Sequence, residues 1–389
     1  MKQGWQVKRL GDVCEIIKGR KPALKAASAN GYLPYLVAKV MRGSKEAEYA
    51  SVSDRNSITV DESETIIICD GSNSGEVFTG FRGILSSTMG KIVKKAEIDD
   101  DYLRAFLTST FEVFNGAKTG TAIPHLDKEA MYQLQLPVPP IAEQQRIVGL
   151  LDEAFAGLAT AKANAEQNLH NARALFESHL NAVFTQRGEG WVERPLAELC
   201  YQSRVITYGV IKLGDEVVDG VPCLRTSNVR WLCIDTEGIK RIAPALSSEY
   251  SRTILKGGEV LVNVRGTLGG VAVSKSDMAG WNVSREVAVV PVNPAMVNPT
   301  FLSYFIGSGT SQHWLGGVKK GAAYIGINIE DLRILPVSFP KMESQLEIVE
   351  HLDLLQKATQ RLALLYERKL AALEELKQSL LHQAFSGAL

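Results

Sequence analysis

From Val148 onward, apolar residues recur at alternating spacings of three and four, broken only by Lys162 and His179: Val148, Leu151, Phe155, Leu158, Lys162, Ala165, Leu169, Ala172, Phe176, His179 and Val183. This spacing puts one stripe along an α-helix and matches the heptad pattern of a coiled-coil seam. A second stripe runs through Leu352, Leu355, Leu362, Tyr366, Leu373, Leu376 and Leu380. Neither segment contains a proline, and Ala, Leu, Glu, Gln and Lys dominate both. The pattern predicts two helices of about 40–45 residues, each roughly 65 Å long. Proline-rich stretches precede both (Pro137, Pro139, Pro140; Pro336, Pro340), and proline cannot continue a helix, so each stretch marks where a globular part hands over. A long helix with one apolar stripe needs a partner. The expected partner is the other copy in the same chain, running back antiparallel; pairing between chains is the competing arrangement.

The stripes belong to a longer repeat. LPVPPIAEQQRIVGLLDEAF and ILPVSFPKMESQLEIVEHLDLL match at Gln144 and Gln345, Ile147 and Ile348, Leu151 and Leu352, Asp152 and Asp353. The same register pairs Leu180 with Leu381 and Phe184 with Phe385. Upstream, GWQVKRLGDVC echoes GWVERPLAELC, with Trp5, Leu10 and Cys14 on Trp191, Leu196 and Cys200. A register kept over this length indicates duplication. The chain is therefore expected to be two units, each a globular part followed by a long helix: 1–140 globular, 141–186 helix, 187–340 globular and 341–389 helix. In the globular parts, SETIIICDGSNSGEVF and GGEVLVNVRGTLGGVAV each read as strand, glycine-bearing polar loop, strand. A helix follows in each, from DDDYLRAFLTSTFEVF and NPTFLSYFIGSGTSQHWL, then a second polar loop in AKTGTAIPHLD and VKKGAAYIGINIED. The expected class is α+β: two β-rich α/β domains separated by two long helices, related by a pseudo-twofold.

Composition changes little in this picture. The 389 residues are 45% hydrophobic and 22% charged with zero formal net charge, so any nucleic-acid contact has to come from a local basic face. The five cysteines form no Cys-x-x-Cys pair and point to neither a metal site nor a disulfide framework. No signal peptide and no span of roughly 20 apolar residues is visible, so a cytoplasmic protein without membrane contact is expected.

The PVPPIAEQQRIV, VPCLRTSNV and VLVNVRGTLGG strings, with the domain–helix–domain–helix order, resemble the specificity subunit of type I restriction–modification systems over essentially the whole chain. Ser344 stands where Glu143 stands in the first copy, and the loop CDGSNSGEVF departs further from the family than its counterpart. The resemblance implies a subunit without catalysis of its own. Each globular part would be a target-recognition domain reading one half of a split double-stranded DNA sequence, with the helix pair setting the gap. Two methyltransferase subunits and two restriction/translocase subunits would join it, and S-adenosylmethionine, ATP and Mg would bind on those partners. Base-edge readers need Arg, Lys, Asn, Gln, Ser or Thr on protruding segments. The candidates are Lys39, Arg42, Ser72, Asn73 and Ser74 in the first domain and Arg225, Thr226, Ser227, Asn228, Asn263, Arg265 and Thr267 in the second. The late loops add Lys118, Thr119 and Thr121, and Lys319, Lys320 and Tyr324, and the N-terminal lysines and arginines suit phosphates.

Each candidate has a plainer reading. Glycine loops between strands are usually turns, and Asn228 and Asn263 could satisfy loop backbone. Cys14, Cys200, Trp5 and Trp191 read as packing residues, and His125 and His313 as lone surface or core histidines. The rival class, an enzyme, lacks its signatures. Asn293-Pro294-Ala295-Met296 is not an adenine-methyltransferase motif, no phosphate-binding Gly-x-x-x-x-Gly-Lys-Ser/Thr occurs, and Gly71–Gly75 has Asn where a nucleophile elbow needs Ser. A coiled-coil adaptor whose globular ends bind proteins is the remaining alternative.

Overall fold

The computed structural model describes residues 4–111, 125–318 and 326–389. The chain forms two compact units, Met1–Glu166 with Arg368–Leu389, and Gln167–Glu367. The first opens with β1 (Gln6–Arg9) and β2 (Cys14–Lys18), followed by β3 (Tyr32–Leu36), β4 (Ile66–Ile68), β5 (Val77–Phe78), β6 (Gly83–Leu85), β7 (Met89–Lys94), α1 (Asp100–Ser109) and β8 (Gln135–Val138). The central sheet is antiparallel in the order β2-β7-β4-β5. A second sheet carries β3 beside β6 in parallel. The triple isoleucine Ile66–Ile68 is buried throughout because successive side chains point to opposite faces and both faces are covered. Ile67 joins the core of Leu10, Tyr102, Phe106 and Leu107, while Ile66 and Ile68 pack with Leu36, Val60 and Leu85.

The long helix α2 (Ile141–Thr185) leads into the second unit. There β9 (Val192–Pro195), β10 (Thr207–Tyr208), β11 (Val221–Leu224), β12 (Val260–Asn263), β13 (Val271–Val273), β14 (Asn282–Val283), β15 (Val287–Val290), α3 (Pro299–Gly307), α4 (Gly309–Gly317) and β16 (Pro336–Phe339) precede the last helix, α5 (Met342–Ser386). Sheet order β10-β15-β12-β13 repeats that of the first unit, and β11 lies parallel to β14 as β3 does to β6. Val260 and Val262 face one core and Leu261 another, again by alternation. The opening and closing strands also pair alike: β1 with β8, and β9 with β16.

The repeated Gln of the two lead-ins has a structural cause. Gln144 is 1% exposed, accepts from the Asp99 amide at 2.9 Å and donates to the Pro139 carbonyl at 2.8 Å. Gln345, also 1% exposed, accepts from the Asn298 amide at 2.8 Å and donates to the Pro340 carbonyl at 2.9 Å. Asp99 and Asn298 in turn cap α1 and α3 through their side chains. One amide thus ties the first turn of each long helix to the start of a domain helix. Glu143 and Ser344, one residue earlier, can differ because that tie does not pass through them.

Within each unit the two long helices run antiparallel against each other and the globular part. In the first, Ile147, Leu151 and Phe155 share a core with Leu380, Leu381, Ala384 and Phe385, and Phe385 meets Tyr102 and Phe106 edge-on. In the second, Phe176, Leu180 and Phe184 share one with Leu352 and Leu355; Arg173 pairs with Glu367 at 2.7 Å, and the His179 and His351 Nε2 atoms lie 3.0 Å apart. Val148, Leu158, Leu169, Tyr366 and Leu373 are half-buried along the seam. Leu362 is not part of it. It is 40% exposed, because the inward face of α5 runs through Leu355, buried Thr359 and Ala363, spacings of four that carry it one position past Leu362, and one residue is about 100° around a helix. Leu376, at 48% exposed, lies off the seam as well. No helix of the described residues is long and apolar enough to cross a membrane.

Candidate nucleic-acid interface

Strand registers identify equivalent places in the two units. Gly90 on β7 stands between Lys18 and Ile67, and Ala288 on β15 stands between Tyr208 and Val262. Lys18 therefore corresponds to Tyr208, and, three residues past Ile67 and Val262, Asp70 corresponds to Arg265. The chain returning from the late loop confirms this: His125 bridges to Asp70, and Gly326 to Arg265. The next residue donates in each case, Leu126 N to Cys69 O at 2.8 Å and Ile327 N to Val264 O at 2.7 Å. Both corners are followed by a glycine that no other residue could replace. A Cβ on Gly19 would lie 2.1 Å from the Ser86 carbonyl oxygen, and one on Gly209 only 1.8 Å from that of Val283.

The first corner is an ion-pair cluster. Asp70, whose side chain is 14% exposed, accepts from Lys18 Nζ at 2.6 Å and from His125 Nδ1 at 2.8 Å. Burial raises its carboxyl, but the hydrogen bonds from Lys18 and His125 outweigh this and hold it below the ordinary carboxylate range. In the loop beyond, Asn73 Nδ2 donates to Glu76 at 3.3 Å, Arg42 pairs with the same carboxylate, and Ser72 Oγ donates to Asn73 Oδ1 at 3.2 Å. Arg42, 34 positions from Glu76, is thus brought to the loop that carries Ser72 and Asn73. Lys39 is exposed and 4.0 Å from Glu46.

The second corner puts Arg265 where the first has Asp70, and the carboxylate of the adjoining Glu286 is engaged by the Ser284 hydroxyl at 2.8 Å. The Arg265 guanidinium lies over the Tyr208 ring, 5.6 Å from its centroid, and pairs with no carboxylate among the described residues. Beside it, Thr226, Ser227, Thr267 and Gln312 line an open cleft of about 600 Å³. Arg225 is half-buried and donates to the Gly238 carbonyl at 2.9 Å.

Three sequence-derived candidates are corrected by burial. Ser74 is 0% exposed, and Asn228 and Asn263 are each 1% exposed. Asn228 accepts from the Arg225 amide and donates to the Asp235 and Glu237 carbonyls. Asn263 donates to the Val229 and Thr267 carbonyls at 2.9 and 3.0 Å. Asn228 and Asn263 thus bond their loops from within, and Ser74 is enclosed in its own. Lys118, Thr119, Thr121, Lys319, Lys320 and Tyr324 lie outside the described residues. Sequence reasoning missed Asp70, His125, Tyr208 and Gln312. His125 looked solitary because its partner lies 55 positions away and is brought to it by strand pairing. Cys14, Cys69, Cys200 and Cys223 are buried thiols, which desolvation pushes up to about 11 for the first two and about 12 for the others.

The family model described as the type I restriction modification DNA specificity domain matches residues 2–169 and 222–374. The chain belongs to this family. It is 26% identical to the MjaVIII specificity subunit of Methanocaldococcus jannaschii over 99% of this chain and 93% of that protein. It is 25% identical to the EcoBI specificity subunit of Escherichia coli over 84% of this chain and 73% of that one. Two solved structures share the fold. One is a chain from work on complex assembly and conformational transition of the type I R-M system, with a TM-score of 0.76 at 20% identity over 100% and 99% of the two chains. The other is the HsdS subunit from Thermoanaerobacter tengcongensis, with a TM-score of 0.56 at 18% identity over 100% and 98%.

Proposed function

We propose that the chain is the non-catalytic, sequence-specific DNA-binding subunit of a cytoplasmic type I restriction–modification complex. Each globular domain reads one half of a bipartite duplex target in a groove. The helix pair sets the gap between the halves and docks two methyltransferase subunits, with two restriction/translocase subunits completing the assembly. S-adenosylmethionine, ATP and Mg belong to those partners. The observation that carries this reading is the duplication of one strand corner in both domains with opposite chemistry, an acid held by Lys18 and His125 in one and, in the other, an arginine that pairs with no carboxylate among the described residues. An equivalent frame with different side chains suits two readers of two different sequences. Base contacts specify, while the surrounding cations hold phosphates.

The test is selection from a random duplex library by the full chain, with affinity measured against salt. The reading expects two short conserved blocks separated by a fixed number of unspecified base pairs. It also expects an affinity that falls steeply and linearly on a log–log salt plot. Failure to enrich any sequence would favour the protein-adaptor alternative.

A further inference from the structure

The two equivalent corners differ in what they offer outward, and the difference is chemically legible. At the second, Arg265 presents N–H donors alone. Its guanidinium lies over the Tyr208 ring, a contact that leaves the N–H donors unused, and it pairs with no carboxylate among the described residues. Gly326 is what makes room: a Cβ there would sit 3.2 Å from Arg265 Cγ and from the Val264 carbonyl oxygen. At the first corner the same bridge position carries His125, and the residue opposite it is the shorter Asp70. The ionised carboxylate only accepts, so His125 Nδ1 is the donor of that bond, and in the neutral ring Nε2 is left as an acceptor. Lys18, held by the other carboxylate oxygen at 2.6 Å, keeps two further N–H donors. One corner therefore shows donors only; the other shows a donor and an acceptor anchored on a single carboxylate.

We propose that these corners are specificity-determining sites, Arg265 reading a guanine in one half-site and the Lys18–His125 pair reading an adenine in the other, with Asp70 and Tyr208 as positioning residues. In the major groove guanine shows two acceptors, N7 and O6, and an arginine fork fits both. Adenine shows the N7 acceptor beside the N6 amino donor, which needs one donor and one acceptor. The proposal rests on the DNA-reading function above and adds the base class read at each corner.

The experiment repeats the library selection with full-length variants whose melting is unchanged. Arg265→Ala relaxes one G·C position in one block, by roughly 5- to 150-fold in discrimination, and leaves the other block intact. Arg265→Lys keeps the charge but not the fork and loses the same preference. Gly326→His, which crowds the guanidinium from another residue, reproduces that loss. His125→Ala and Lys18→Ala relax one A·T position in the other block, and Asp70→Asn does the same without removing either reader. Uniform weakening across all sequences with a shallower salt dependence would mean phosphate contacts and would overturn the proposal, as would unchanged preferences. A wild-type chain that selects no motif would instead refute the wider function.

Discussion

Replacing Gln144 by methionine tests the mechanism by which each long helix is joined to its domain. Methionine nearly conserves volume, so the change removes polar contacts and opens little cavity. It leaves two backbone groups without their partners, the Asp99 amide and the Pro139 carbonyl, bonded to Gln144 in the native fold at 2.9 and 2.8 Å. An orphaned buried polar group costs about 1–3 kcal/mol, so the first unit loses roughly 2–4 kcal/mol, the lower end applying because the Asp99 amide is only partly buried. The loss is read from urea denaturation as a fall in midpoint at constant slope. Hydrogen exchange gives the local signature: faster exchange at Asp99 and in the first turn of α1, whose cap Asp99 provides. Gln345→Met has the same effect on the second unit at Asn298, and because the two sites share no partner their costs add within about 0.5 kcal/mol. A loss below about 1 kcal/mol for Gln144→Met, with protection at Asp99 unchanged, would refute the tie.

Glu259 accepts from Arg204 at 2.7 Å, from Ser274 at 2.7 Å and from the Lys256 and Gly257 amides; burial raises its carboxyl, but these bonds prevail and hold it below the ordinary value. Its stabilisation is therefore full above the unfolded value of about 4.3 and lost as pH falls below it, and Glu259→Gln costs about 3–5 kcal/mol by stranding Arg204, which denaturation from pH 7 to pH 3 checks. In native protein, Cys233 alkylates rapidly while buried Cys14, Cys69, Cys200 and Cys223 resist, a pattern read by mass spectrometry after brief iodoacetamide treatment. Inserting one heptad into both long helices widens the gap between selected half-sites by about 10 Å, roughly three base pairs, and leaves both half-sites unchanged; an unaltered gap would contradict the spacer role.

The long helices were the most legible part of the sequence, because period and duplication both point to them and an extended apolar stripe has few alternatives. Leu362 misled because it keeps the three-and-four spacing and looks apolar in sequence, while the inward face of α5 has moved on to Ala363 and leaves it exposed. The strand–loop–strand segments were legible as local patterns, and the frame they build in each unit was not. Lys18, Asp70 and His125 are brought together by register between distant strands, and no local period encodes that register. Asn228 and Asn263 misled for a related reason: the same amide serves a base edge or a loop backbone, and only burial separates the two uses. Gln144 and Gln345 were seen as a repeat, but their role depended on knowing that the Asp99 and Asn298 amides lie against them.

The most direct test of the central claim is the adenine methylome of a host that expresses the methyltransferase partner, sequenced with and without the gene for this chain. The account predicts that deletion abolishes methylation at one bipartite motif, two specified blocks around a fixed unspecified gap, and leaves every other motif intact. A methylome unchanged by the deletion, with the partner present and active, would contradict it.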